Sequence, residues 1–159
     1  MAKDKWNIKI RRATLDDLSA MQELYVETIR STCKKDYDQA QIDVWTASVE
    51  NEARWKEAVT QQYFLVATTH PTIVGFGSLK NGDFIDFMYV HKDYVRQGIA
   101  ERLYQELENE AKRLGHAQIA ADVSKTARPF FEKKGFQVVR ENKRHIKGVE
   151  ITNYRMVKS

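Results

Sequence analysis

One cysteine, two prolines and seven glycines in 159 residues exclude several common designs. The lone Cys33 rules out an internal disulfide and any site built from several thiolates, and with no motif around it reads as a packed thiol rather than a nucleophile. The four histidines, His70, His91, His116 and His145, are scattered, with none four residues from another, so no zinc-type pairing is visible and no metal is expected. Apolar runs are far too short to span a bilayer, and Met1 to Trp6 has no apolar signal-peptide core. A cytoplasmic chain with no membrane partner is therefore expected. No repeat, low-complexity tract or Pro/Gly/Ser-rich linker interrupts the sequence, so residues 1–159 read as a single domain with a substantial core.

The charge that is present is unevenly placed. Residues 1–90 carry 11 Lys+Arg against 13 Asp+Glu, a net of −2, whereas residues 91–159 carry 15 against 9, a net of +6. The basic half suits a polyanionic ligand. The acidic half, with Asp36, Asp38, Asp43, Glu50, Glu52 and Glu57, suits a cationic one, the plain alternative being that both are solvated faces. Nucleic acid is not expected, because Lys133, Lys134, Arg140, Lys143 and Arg144 lack the interleaved aromatics of single-strand binders.

Periodicity supplies the elements. Ile8 and Ile10, alternating with Lys9 and Arg11, read as a strand; Thr14-Leu15-Asp16-Asp17 reads as a helix start, followed by Leu18, Met21, Tyr25 and Ile29 at helical spacing. Asp38 can cap a second helical stretch through Ile42, Trp45 and Val49, broken before Trp55, Ala58 and Val59. Tyr63 to Thr68, Thr72 to Leu79 and Phe84 to Val90 are β-rich, the last two joined by the hairpin signal Asn81-Gly82. Ile99, Leu103, Leu107, Ala111 and Leu114 form an apolar helical stripe ended by Gly115. Ala117 to Val123 then reads as a strand, Thr126 to Lys134 as a short helix stopped by Gly135, and Phe136 to Arg140 as the partner of Val149 to Val157. The order β-α-α-β-β-β-α-β-α-β-β, with one parallel crossover, predicts a mixed α/β architecture.

Between the strand ending at Val90 and the helix opening at Ile99 lies Val95-Arg96-Gln97-Gly98-Ile99-Ala100. A helix N-terminus offers backbone N–H groups without intrahelical partners and a partial positive charge. Gly98 and Ala100 leave it uncovered, and Arg96 adds a full charge. The loop can therefore seat an anion, although glycine before a helix also serves plain turn chemistry.

Three segments in this order, Phe87-Met88-Tyr89-Val90-His91-Lys92-Asp93-Tyr94, Val95 to Ala100, and Ala127-Arg128-Pro129-Phe130-Phe131-Glu132-Lys133-Lys134-Gly135-Phe136, resemble the GNAT superfamily of N-acetyltransferases across nearly the whole chain. The resemblance implies a mixed, mostly antiparallel twisted sheet of about seven strands, helices on both faces and a V-shaped splay between the fourth and fifth strands. Acetyl-CoA would lie in that splay as cosubstrate. Met88, Tyr89 and Val90 fall where family members bond the pantetheine arm through the backbone, and Val95, Arg96, Gln97, Gly98, Ile99 and Ala100 fall at the pyrophosphate loop. Ser124 stands where the family often has a cofactor-contacting asparagine, and Phe131 where a tyrosine commonly serves as acid near the thiol.

The departures are informative. Val95 replaces the usual polar first residue of the loop, which leaves the backbone and Arg96 to hold the anion. Phe131 cannot donate a proton; solvent or another hydroxyl, Tyr89, Tyr94 or Tyr154, would serve, and a thiol ionising near about 8.5 leaves tolerably without help. Asp86, in a partly apolar setting between Ile85 and Phe87, falls where the family often places a carboxylate general base; its structural alternative is an ion pair with Arg11 or Arg12, and Asp83 is a weaker rival. Tyr37 and Trp45, in the acidic segment the family varies, are the expected acceptor-binding residues, or else core packing. The function implied is transfer of an acetyl group to a primary amine of a small molecule or peptide by direct attack. A non-catalytic acyl-CoA sensor is the alternative, and a homodimer stays open.

Overall fold

The computed structural model describes residues 7–159; Met1 to Trp6, read above for a signal-peptide core, lies outside them. Among the described residues seven strands form one sheet: β1 (Lys9–Arg12), β2 (Tyr63–Thr68), β3 (Ile73–Lys80), β4 (Phe84–Val90), β5 (Ile119–Ser124), β6 (Gln137–Ile146) and β7 (Val149–Lys158). Their order is β1-β2-β3-β4-β5-β7-β6, and β4 and β5 are the parallel pair. Helices α1 (Leu18–Thr32), α2 (Gln39–Thr46) and α3 (Glu52–Gln61) cover one face; α4 (Ile99–Arg113) and α5 (Arg128–Lys133) cover the other.

Local chemistry sets most boundaries. Asp38 caps α2 by accepting from the Gln41 N–H at 2.9 Å, and Asn51 caps α3 by accepting from the Arg54 N–H. A 3-10 turn, Ala47–Glu50, makes the break expected before Trp55. Gly115 and Gly135, both at positive φ, end α4 and α5 in the same way: His116 N–H reaches back to Ala111 C=O and Phe136 N–H to Phe131 C=O. Asn81 and Gly82 both have positive φ, as the β3–β4 hairpin requires.

The last hairpin differs from expectation. Its strands run ten residues each around a turn at Lys147-Gly148, and β7 lies inside, between β5 and β6. Residues 141–146 of β6 carry charges on an exposed edge strand, so no apolar alternation marks them in the sequence.

Asp17, a buried carboxylate at the start of α1, accepts from both Arg11 terminal nitrogens at 2.9 Å and from the Thr14 N–H at 2.8 Å. The Arg11 guanidinium and these bonds outweigh burial and hold its carboxyl below the ordinary aspartate range. Asp17→Ala should cost about 1–3 kcal/mol at pH 7, since it removes a cap and a charge-assisted pair. Because the folded pKa is depressed, the contribution is complete above about 3.9 and vanishes as pH falls through the folded value. Urea melts at pH 7 and in strong acid should show the variant's deficit shrinking toward zero.

Alternation sorts the two cores. Phe64, Val66, Phe76, Phe87 and Tyr89 face α1–α3, whereas Leu65, Ala67, Leu79 and Ile85 face α4. Gly75 and Gly77 let α4 approach: a Cβ at Gly75 would stand 2.9 Å from Ile99 Cγ2 and 3.3 Å from Leu103 Cδ1. Gly75, paired with Val90, thereby brings the N-terminal turn of α4 beside the end of β4, while Gly77 receives Leu107 from the middle of the helix.

Candidate active site

The pairing of β3 with β4 slips by one residue: Leu79 faces Ile85 and Ser78 faces Phe87, so Asp86 is the extra residue of a β-bulge. Ile85 therefore points to the α4 side, while Asp86 and Phe87 both meet residues of the α1–α3 side. On its other edge β4 pairs with β5 only at Phe84–Ala120 and Ile85–Ala121, after which the two strands part. The carbonyls of Phe87 and Tyr89 face β3, and the His91 N–H bonds Val74 C=O at 2.8 Å. By alternation the backbone groups of Met88 and Val90 point into the gap. Tyr89, expected to share that role, turns its backbone to β3, and the Val90 carbonyl accepts from the Thr28 hydroxyl at 3.1 Å.

A cavity of about 630 Å³ opens at the splay and continues between α1, α2 and the β6–β7 hairpin. Met88, Tyr89, Val90, Val95, Ala100, Ser124 and Phe131 of the expected cofactor residues line it, as do Asp86, Tyr37 and Trp45. Arg96, Gln97 and Gly98 stand exposed at its mouth, whereas the Ile99 side chain is buried against Gly75. Gly98 caps α4 in the left-handed conformation at φ 79°, and Arg96 two residues earlier is also left-handed at φ 65°. No atom lies within 4 Å of a Cβ built on Gly98, so the helix N-terminus faces open space.

Asp86 is ion-paired, with neither Arg11 nor Arg12. Arg11 is taken by Asp17, and Arg12 lies over the Tyr63 ring. Arg54 of α3 instead holds both Asp86 oxygens, at 3.2 and 3.3 Å, while its guanidinium carbon stands 4.8 Å from the Phe87 ring centroid. Gln62 Nε2 donates to Asp86 Oδ2 at 2.8 Å, and buried Ser78 fixes that amide by donating to Gln62 Oε1 at 2.7 Å. The setting is thus polar and bonded. Arg54, Gln62 and Ser78 lie 32, 24 and 8 positions from Asp86 and share no local pattern with it, so nothing in the sequence marks them as its partners.

Tyr37 is buried, donates to Thr152 C=O at 2.7 Å and accepts from the Lys125 N–H at 2.9 Å, tying α1–α2 to β5 and β7. Burial pushes its pKa up to about 12. Trp45 meets it edge-on with centroids 5.2 Å apart. Burial also raises the Tyr89 hydroxyl well above its ordinary value and raises the Cys33 thiol, so Cys33 is a packed, protonated thiol. Phe131 packs edge-to-face on Phe130 and Phe136, and Ser124 Oγ accepts from the Ala127 N–H ahead of α5. Tyr154 lies beneath the Arg128 guanidinium and Tyr94 packs edge-on against His91; neither lines the cavity.

The acidic segment does not face the cavity. Asp38 is spent on its cap, Asp36 accepts from Thr126, Asp43 from Gln39 and Glu52 from Gln22; none of these, nor Glu50 or Glu57, lines the wall. The charged groups that do are Arg54, Asp86, Asp122 and Arg144, two of each sign.

Comparison with known proteins agrees with this architecture. Residues 33–158 match the acetyltransferase (GNAT) domain family. The chain is 31% identical to the N-acetyltransferase YafP of Escherichia coli over 150 residues, covering 94% of this chain and 95% of that one. A GCN5-related N-acetyltransferase from Rhodopseudomonas palustris superposes with a TM-score of 0.90 at 32% identity, over 95% of this chain and 94% of that one. The PaiA N-acetyltransferase of Thermoplasma acidophilum, solved in complex with coenzyme A, shares the fold with a TM-score of 0.78 at 22% identity, over 96% and 98% of the two chains. A seven-stranded sheet splayed after its one parallel pair, a glycine-capped helix beside the splay and a family match over most of the length lead to one conclusion: the chain belongs to the GNAT family and is an acetyl-CoA-dependent N-acetyltransferase.

Proposed function

We propose that residues 1–159 act as one domain that moves the acetyl group of acetyl-CoA onto a primary amine of a small molecule or peptide by direct attack. The observation that carries this reading is the meeting of three features at one cavity: the β4–β5 gap, the open N-terminus of α4 and the carboxylate of Asp86. The residues fit the cosubstrate. At Gly98 a side chain would fill the space an anion needs, so the loop from Val95 to Ala100 holds the pyrophosphate through backbone N–H groups, with Arg96 adding charge at the mouth. Met88 and Val90 receive the pantetheine amides along the free edge of β4, and Ser124 and Phe131 line the same gap.

Acetyl-CoA supplies a thioester carbonyl open to attack and a thiol as leaving group. The chain supplies orientation and a place for the proton. Asp86 accepts three hydrogen bonds, from Arg54 twice and Gln62 once, and two carboxylate oxygens have about four acceptor sites. One site remains to take, through water, the proton the acceptor amine must lose. Tyr37 and Trp45 form an aromatic wall on the acceptor side. Among the described residues that line the cavity, Phe131 has no hydroxyl, Tyr37 is committed to two backbone bonds, the Tyr25 hydroxyl is shared with Ser48, and burial raises both Tyr25 and Tyr89 further from neutrality. Solvent is then the proton source on the thiol side.

Release of free CoA, followed by a thiol reagent against a panel of monoamines, diamines, amino acids and short peptides, should reveal acetylation of at least one class. Tight acetyl-CoA binding with no acceptor turned over would favour the sensor reading, and absence of binding in calorimetry would remove both.

A further inference from the structure

The charges that line the cavity have an order. Asp86 on β4, Asp122 on β5 and Arg144 on β6 all lie on the sheet face that α1–α3 cover, because Arg144 and Asn142 share a row with Ile151 and Asn153 across the hairpin, and Asn142 bonds Asp122. Two of the three are neutralised. Arg54 pairs with Asp86, and Arg155 holds Asp122 at 2.6 and 3.1 Å with Asn142 adding a third bond. Arg144 has no ion-pair or hydrogen-bond partner among the described residues, and its cross-strand neighbour is the apolar Ile151.

The cations beside it behave differently. Lys143 and His145 point to the opposite face, and both stand near carboxylates, Glu141 at 3.8 Å and Glu150 at 3.3 Å. The backbone opposite Arg144 is pinned on both sides of Ile151: Gln41 donates to Glu150 C=O at 2.9 Å and Tyr37 to Thr152 C=O at 2.7 Å. The hairpin wall is therefore fixed against α2 at the one point where it turns an uncompensated guanidinium toward the cavity.

We infer that the acceptor is an amine that also carries a carboxylate, received by Arg144 on the hairpin wall while its amine end lies toward Asp86; this rests on the acetyl-transfer reading above. A planar guanidinium offers a carboxylate two parallel N–H donors, a geometry neither an ester nor an amide can match with the same charge. A purely cationic acceptor would leave Arg144 unneutralised on the cavity wall and meet it as a repulsion.

The test compares α-amino acids, and ω-amino acids of increasing length, with their methyl esters and with the corresponding amines lacking the acid. The wild type should favour the acid over its ester by at least about 10-fold in kcat/KM, and Arg144→Ala should lower that acid-to-ester ratio by about 10- to 100-fold, the factor for losing a charge-assisted pair. Arg144→Lys should keep part of the preference and Arg144→Glu should reverse it. Esters or plain amines turned over as well as acids by the wild type, or a ratio unmoved by Arg144→Ala, would overturn the inference and leave acetyl transfer standing. Failure of every amine class would instead remove acetyl transfer itself. Acetyl-CoA affinity weakened as much as acid turnover in Arg144→Ala would assign the guanidinium to the cosubstrate and likewise overturn it.

Discussion

Asp86→Asn should lower kcat by about 10²- to 10⁴-fold at neutral pH, the range for loss of a positioned general base, while acetyl-CoA affinity changes less than about twofold. Asparagine keeps the shape and one acceptor oxygen, so Gln62 and Arg54 retain a partner; what is lost is the charge and the ability to take a proton. The side chain is only 12% exposed, yet Arg54 opposite is 45% exposed and can turn to solvent when its counter-ion goes. The variant should therefore stay folded, which a thermal melt checks. A parallel fall in CoA affinity and melting temperature would make Asp86 a structural ion pair and nothing more. Acetyl-CoA titration by calorimetry beside single-turnover kinetics separates the two.

Gly98→Val should weaken acetyl-CoA binding by roughly 10- to 10³-fold. Two costs combine. Left-handed backbone with a Cβ costs about 1–2 kcal/mol, more for a β-branched residue, and the side chain would occupy the open space over the first turn of α4 where the anion approaches. Because nothing in the protein lies within 4 Å of that position, the substitution makes no clash with neighbouring atoms; the backbone strain falls on the loop itself, and a thermal melt of the free protein separates it from the loss at the ligand. Gly98→Ala should show a smaller loss of the same kind. Unchanged affinity in Gly98→Val with the fold intact would mean that the loop does not seat the pyrophosphate.

These two positions differ in how they are found. Gly98 is legible in the sequence because a glycine ahead of an amphipathic stripe is a local signal, and the caps at Asp38, Gly115 and Gly135 and the hairpin turn at Asn81-Gly82 are local signals of the same sort. Asp86 could be singled out by resemblance, but its surroundings could not. The apolar neighbours Ile85 and Phe87 suggest an apolar setting, yet the bulge turns them to opposite faces and turns Asp86 to Arg54 and Gln62. The acidic run from Asp36 to Glu57 likewise suggests a cationic site by composition. Its carboxylates go to a helix cap, a threonine and exposed amides, because side chains on short helices are shared out around the helix axis rather than gathered on one side.

The sequence by itself determined most elements and their order, although it counts α2 and α3 as one broken helical stretch and ends β6 at Arg140 rather than Ile146; it also determined the parallel crossover around Gly98 and, through three short segments, the family, since propensities, caps and turns act over a few residues. Tertiary structure alone decided the rest. Insertion of β7 between β5 and β6, the partnering of Asp86 by residues 24 and 32 positions away, and the solitary Arg144 on the hairpin wall all arise from contacts between distant segments. Which face a strand residue presents depends on register, and a one-residue bulge inverts it, so no local pattern carries that information.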